Sequence, residues 1–223
     1  MPGAFKRGQV LNSIWRAFTL RDERIPAAFS AKVKKLAELG VPLTKAERAG
    51  HPGVDNTYSA YHAFELGVAL KLLDAGFKQG EVAILVRHIR ADLRRAYLDI
   101  LDSPPSIGQN VLAKDRPKSP RLMVVAQGKT ELADPSRPNS ADTSYWMTFR
   151  SLEFPQVLHP RAKKGELRFE PQFHRGLEAL TWQMQRLTQA YTDDHRFVLE
   201  LSNLAMLITQ TLPDIQPTQR GRQ

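Results

Sequence analysis

Residues 58–86 read Tyr58-Ser59-Ala60-Tyr61-His62-Ala63-Phe64-Glu65-Leu66-Gly67-Val68-Ala69-Leu70-Lys71-Leu72-Leu73-Asp74-Ala75-Gly76-Phe77-Lys78-Gln79-Gly80-Glu81-Val82-Ala83-Ile84-Leu85-Val86. The stretch describes two helices that meet at one glycine. Ser59 is placed to cap the first, because its hydroxyl can accept a free backbone N–H of the opening turn. Phe64, Val68, Leu72 and Ala75 recur at helical spacing, and Leu66, Leu70 and Leu73 widen the stripe. Gly76 can take the left-handed conformation that closes a helix, and Phe77 follows where a contact back to the last turn is common. A second helix then starts near Gln79. Its stripe of Val82, Leu85, Ile89, Leu93, Ala96 and Ile100 predicts one long helix to about Leu101. Arg87, Arg90, Arg94 and Arg95 fall outside that stripe, on a solvated face. Ser103-Pro104-Pro105 stops it.

Upstream of the corner, Ser30 to Leu39 predicts a helix with Val33, Leu36, Ala37 and Leu39 inward. Gly40-Val41-Pro42 is a tight turn. Thr44-Lys45-Ala46-Glu47 has the pattern of a capping box and predicts a very short helix to about Ala49. Gly50 to Asn56 holds His51-Pro52-Gly53 and reads as a loop or β-wing. Residues 1–29 read as a basic N-terminal extension with a short amphipathic helix over Val10 to Phe18.

Downstream, 103–120 is rich in proline, serine and charge and reads as a linker. Strands are expected over 121–126, 144–152 and 166–170, making a small antiparallel sheet. The middle one alternates Tyr145, Met147 and Phe149 with Trp146, Thr148 and Arg150. Over 173–212 a heptad-like seam runs through Leu177, Leu180, Met184, Leu187, Tyr191, Val198, Leu201, Ala205, Ile208 and Leu212, with Asp194 its polar member. One long helix and a hairpin of two helices both fit that pattern, and either predicts a dimerisation surface built on Leu177, Leu180, Met184, Leu187, Tyr191, Val198, Leu201 and Ile208. Residues 214–223 read as a disordered tail. The fold class expected is thus mainly α with a small antiparallel β-sheet (α+β). It divides into 1–29, a helical domain over 30–102, the linker 103–120, and an α+β unit over 121–213.

Composition narrows the chemistry. The 223 residues are 42% hydrophobic, enough for a core, and include no cysteine. Disulfides, thiolate metal sites and a cysteine nucleophile are excluded. No apolar run is long enough to span a bilayer, and no secretory apolar core follows Met1 to Arg7, so a cytoplasmic protein without membrane partners is expected. The formal charge is +9; residues 1–50 carry ten Lys/Arg against four Asp/Glu, hence +6 of it. Such a surface favours polyanions through counterion release. The six histidines show no zinc-binding spacing, and no hydrolase elbow, phosphate loop or dinucleotide fingerprint occurs. Asp193-Asp194-His195 is a turn or helix cap rather than a metal site. No enzyme, metal or cofactor is expected.

The order helix, turn, short helix, wing-like loop, helix, glycine, helix over 30–102 resembles the MerR-type winged helix-turn-helix. The resemblance rests on Tyr58-Ser59, Gly76-Phe77 and Glu81-Val82, with Leu66 and Leu85 in the apolar places between them. Leu36-Ala37-Glu38-Leu39-Gly40-Val41 is similar to the family's first helix and turn. Ala46-Glu47-Arg48-Ala49 stands where the family has an Arg-Tyr-Tyr-Glu-type segment. The resemblance implies sequence-specific binding of double-stranded DNA by a homodimer, and transcriptional regulation. On physical grounds the contacts fall to Thr44, Lys45 and Arg48 on the short helix, to Lys32, Lys34 and Lys35 beside it, and to His51, Asn56, Thr57 and Tyr58 in or next to the wing. The alternatives are a protein-interaction module whose charge serves solubility, and a regulator gated by a small molecule bound to the sheet.

Overall fold

A computed structural model describes residues 4–19, 24–48, 55–103, 144–150, 171–190 and 196–217. Its elements, in order, are α1 (Arg7–Thr19), α2 (Ala27–Glu38), α3 (Ala60–Asp74), α4 (Gln79–His88), α5 (Arg90–Asp102), β1 (Tyr145–Arg150), β2 (Gln172–Arg175), α6 (Leu177–Ala190), β3 (Arg196–Glu200) and α7 (Ser202–Thr211). The described residues are therefore mainly helical with a three-stranded antiparallel sheet of order β2-β1-β3.

The corner forms from the local signals described above. Ser59 is extended (φ −91°, ψ 167°); its Oγ accepts from the His62 N–H at 3.2 Å, and His62 Nδ1 accepts from the Ser59 N–H at 3.1 Å. At the other end Gly76 has φ +97°. Its N–H donates to Leu73 O at 3.0 Å and that of Phe77 to Leu72 O at 3.2 Å, the pair of bonds that satisfies the last carbonyls of a helix. Phe77 then packs against Phe149 and Phe197, with ring centroids 5.7 and 4.6 Å away.

The single helix expected over 79–101 is two. Ile89 (φ −90°, ψ 10°) ends α4, and Arg90 opens α5. The break falls where Arg90 makes its tertiary bonds: its carbonyl accepts from the Tyr61 hydroxyl at 2.8 Å and its guanidinium turns inward. Such interruptions of a helix have local causes of this kind.

The seam over 173–212 is neither one helix nor a hairpin of two. β2 and β3 interrupt it. Phe197 and Val198 are good strand formers, and Phe149 pairs with Phe197 and Thr148 with Val198 across β1. Leu201 N–H then donates to Tyr145 O at 2.9 Å before α7 begins. Met147 and Phe149 of β1 are buried on one face and Thr148 on the other, while Tyr145 and Trp146 are half-buried, so the strand is covered on both sides rather than alternating. The strands expected at 121–126 and 166–170 lie outside the described residues.

Helix α7 is drawn in among the N-terminal helices. Gly67 permits this: a Cβ there would stand 3.2 Å from methyl carbons of Leu204 and Ile208. Tyr97 OH and Thr209 Oγ1 lie 2.9 Å apart. Helix α1, read from sequence as an extension, buries Val10 and Ile14 in the same core. Its Gln9 amide donates to Ile215 O at 2.6 Å, and Ser13 Oγ meets Thr211 Oγ1 at 2.8 Å. The segment before α1 is tied as well, because Phe5 and Tyr58 exchange backbone hydrogen bonds of 2.8 and 2.9 Å.

Candidate nucleic-acid interface

Residues 39–48 lead from the end of α2 across the front of α3. Gly40 has φ +91°, which reverses the chain. Val41 and Leu43 plug into the core on either side of Pro42. Beyond them the backbone makes one turn at Lys45–Glu47, closed by Glu47 N–H to Thr44 O at 3.2 Å. The described residues thus hold a single turn where a short helix was expected. Half of the capping box is present: the Thr44 N–H and hydroxyl both donate to Glu47 Oε2, at 2.8 and 2.9 Å. Burial acts to raise the Glu47 carboxyl, but hydrogen bonds from Thr44 and the nearby Arg90 outweigh it and hold the group below the usual glutamate range.

The turn, the C-terminal half of α2 and the start of α1 enclose a cleft of about 240 Å³. Val41, Pro42 and Leu43 lie along it, and Arg7, Lys34, Ala37, Glu38, Arg48, Asn56 and Tyr58 complete the lining. Tyr58 is largely buried. Burial pushes its phenol above the ordinary tyrosine value, with Arg7 and Arg48 pulling the other way, so it stays a protonated donor beside two cations. Arg48 is also structural. Its Nε–H donates to Leu43 O at 3.3 Å, and an Nη–H donates to Ala37 O at the end of α2.

Of the sequence-predicted contacts, Lys34, Arg48, Asn56 and Tyr58 therefore meet in one cleft. Lys45 and Thr57 are exposed nearby in sequence, and Thr44 is engaged with Glu47. Lys32 turns to Asp74 at 2.9 Å, and Lys35 to Glu38 at 3.1 Å. His51 lies outside the described residues. Arg7 was not anticipated, although Lys6-Arg7 at the head of the basic arm was the available signal. The dimerisation set is dispersed: Leu180, Leu201 and Ile208 are buried within the chain, Leu177 and Met184 are half-buried on α6, and Val198 sits on β3. The side chains of Leu187 and Tyr191 are outside the described residues.

A polar cluster backs the turn. Glu65 on α3 is fully buried. Arg90, placed by sequence on a solvated face, instead reaches it: Nε–H donates to Glu65 Oε2 at 3.1 Å and Nη1–H to Glu47 Oε2 at 2.9 Å. Nη2–H donates to Pro42 O. Burial raises Glu65 to about 7, with Arg90 opposing. Burial also lowers His62, with Glu47 opposing, so the ring is neutral at pH 7. Since Nδ1 accepts the Ser59 N–H, the proton sits on Nε2, which stands 3.9 Å from Glu47 Oε1. The sequence signal for this cluster was a lone carboxylate inside the apolar run Ala63-Phe64-Glu65-Leu66, which needs a buried partner.

Among the described residues there is no group of three or more His, Asp or Glu able to hold a metal, and no helix long and apolar enough to cross a membrane. No protein-family model, no curated protein and no solved structure matches the chain.

Proposed function

We propose that this protein binds double-stranded DNA through the face that carries the cleft, in the manner of a winged helix-turn-helix similar to MerR, and regulates transcription as a homodimer. One observation carries the reading: Arg7, Lys34 and Arg48 come from three separate segments to one cleft that also holds Asn56 and Tyr58. Cations and hydroxyl donors so grouped suit backbone phosphates, which fix the register of a protein on a duplex. Lys45 and Thr57, exposed, are available for base edges. Under this reading the single turn at Lys45–Glu47 takes the place of the family's recognition helix.

The test is fluorescence anisotropy with duplex DNA over a salt series. Affinity should fall as salt rises. Arg7→Ala with Lys34→Ala should weaken binding similarly on all sequences and reduce the log–log salt slope by about 2. A wild-type chain that binds no duplex even at low salt overturns the proposal. A second reading, a protein-interaction module, is favoured by Trp182 on α6 and Leu98 on α5, which are 59% and 56% exposed. It predicts no salt-dependent DNA binding and an unchanged result in the double variant.

A further inference from the structure

The turn that carries Thr44, Lys45 and Arg48 is closed locally by one backbone bond of 3.2 Å and by the two Thr44 bonds to Glu47, and Arg48 ties its far end to Leu43 O and Ala37 O. A single turn fixes many dihedral angles for few bonds. Its fastening to α3 comes from α5. The guanidinium of Arg90 reaches three acceptors at once: the Glu65 carboxylate on α3, the Glu47 carboxylate in the turn, and the Pro42 carbonyl at the turn's entrance. The Arg90 carbonyl is meanwhile held by Tyr61 of α3. Helix α3 is capped at both ends and buried along its length, so it is the fixed reference.

We propose that Arg90 is the positioning residue of the DNA-reading turn: its planar fork fastens Glu47 and Pro42 to Glu65, and so sets where Thr44, Lys45 and Arg48 stand against the duplex. The inference rests on the DNA-binding reading for its function, though not for its geometry.

The energetics favour positioning over stabilisation. Glu65 has no exposed surface, and its Oε1 has no hydrogen-bond partner in the structure. Buried ion pairs are often no more stable than an apolar pair of the same volume, while a fork with fixed geometry confers orientation. A carboxylate kept in the core with one oxygen unsatisfied is a cost with no local return. Its return is the location of Arg90. Lysine, a point charge, would not reproduce three divergent bonds.

The test uses the full chain with Glu65→Gln and Arg90→Gln combined, which removes the carboxyl and the guanidinium together and leaves an amide at each position. Three quantities are read: melting temperature, amide hydrogen exchange of residues 43–48, and affinity for duplex DNA. The variant should melt close to wild type, exchange in the turn should accelerate about tenfold while α3 is unchanged, and DNA affinity should fall about tenfold. Arg90→Lys, which keeps a cation beside Glu65 but not the fork, should loosen the turn in the same way and covers the case in which the double variant does not fold. Wild-type exchange in the turn of the folded double variant overturns the proposal, as does full turn protection in Arg90→Lys. If the wild-type chain binds no DNA, the functional reading fails, while turn exchange still decides whether Arg90 positions it.

Discussion

The α3–α4 corner and the segment from α6 to α7 carry the same kind of apolar repeat, yet they fold differently. In the corner each boundary has its own chemistry: Ser59 caps α3, Gly76 closes it, and Phe77 seals the junction against Phe149 and Phe197. In the C-terminal segment the repeat continues through residues that pair as strands. Val198 and Leu201 keep heptad spacing but stand on β3 and at its exit toward α7. Spacing of three and four shows that residues can share a helical face. It does not show that the chain remains helical between them. Caps and glycines state where a helix ends, and strand pairing with a distant segment can end one without either.

This contrast can be broken most forcefully at Ile208. As part of an intermolecular zipper its loss would act on assembly. Packed against Gly67 inside the chain, it acts on folding. Ile208→Ala should therefore cost about 3 kcal/mol in chemical denaturation. The loss should be independent of protein concentration; a concentration-dependent midpoint would restore the zipper.

A similar effect is expected at Glu65. Its folded value of about 7 lies above the ordinary 4.5, so the native state retains a proton that the unfolded chain has lost. Stability from this group is full below about pH 4.5 and is lost as pH rises toward about 7, by about 3 kcal/mol. Denaturation of wild type and Glu65→Gln across that range should show the difference closing in favour of the variant as pH rises. Parallel curves would mean that Glu65 does not titrate there.

The smallest effects belong to the corner's local signals. Gly76→Ala meets no neighbour within 4 Å, so it reports only the cost of a positive φ, about 1 kcal/mol. Ser59→Ala should cost about the same, through the lost cap. Thermal melts that leave both variants at the wild-type temperature would mean that tertiary packing alone defines the corner.

Legibility followed the same division in the site. Lys34, Arg48, Asn56 and Tyr58, expected from sequence as DNA contacts, line one cleft because they flank one turn, whose start is marked by Gly40 and Pro42. Arg7 was not, since nothing local ties it to residues 34–58; the Phe5–Tyr58 backbone pair does. Arg90 was misplaced because helical phase puts it outside the apolar stripe. Phase is computed for a straight helix, and this one breaks at Ile89.

The sequence by itself determined what neighbouring residues settle among themselves. These are the caps of α3, the glycine that ends it, the strand β1, the absence of thiol chemistry, and a basic N-terminal fifty residues. Only the tertiary structure decided that α1 and α7 share the core of α3, that 196–200 is a strand, and that Arg90 turns inward to Glu65 and Glu47. Each of these depends on partners far apart in the chain. Hydrogen bonding and burial between such partners outweigh local propensities that differ by a fraction of a kcal/mol per residue, roughly 0.7 at most for ordinary side chains.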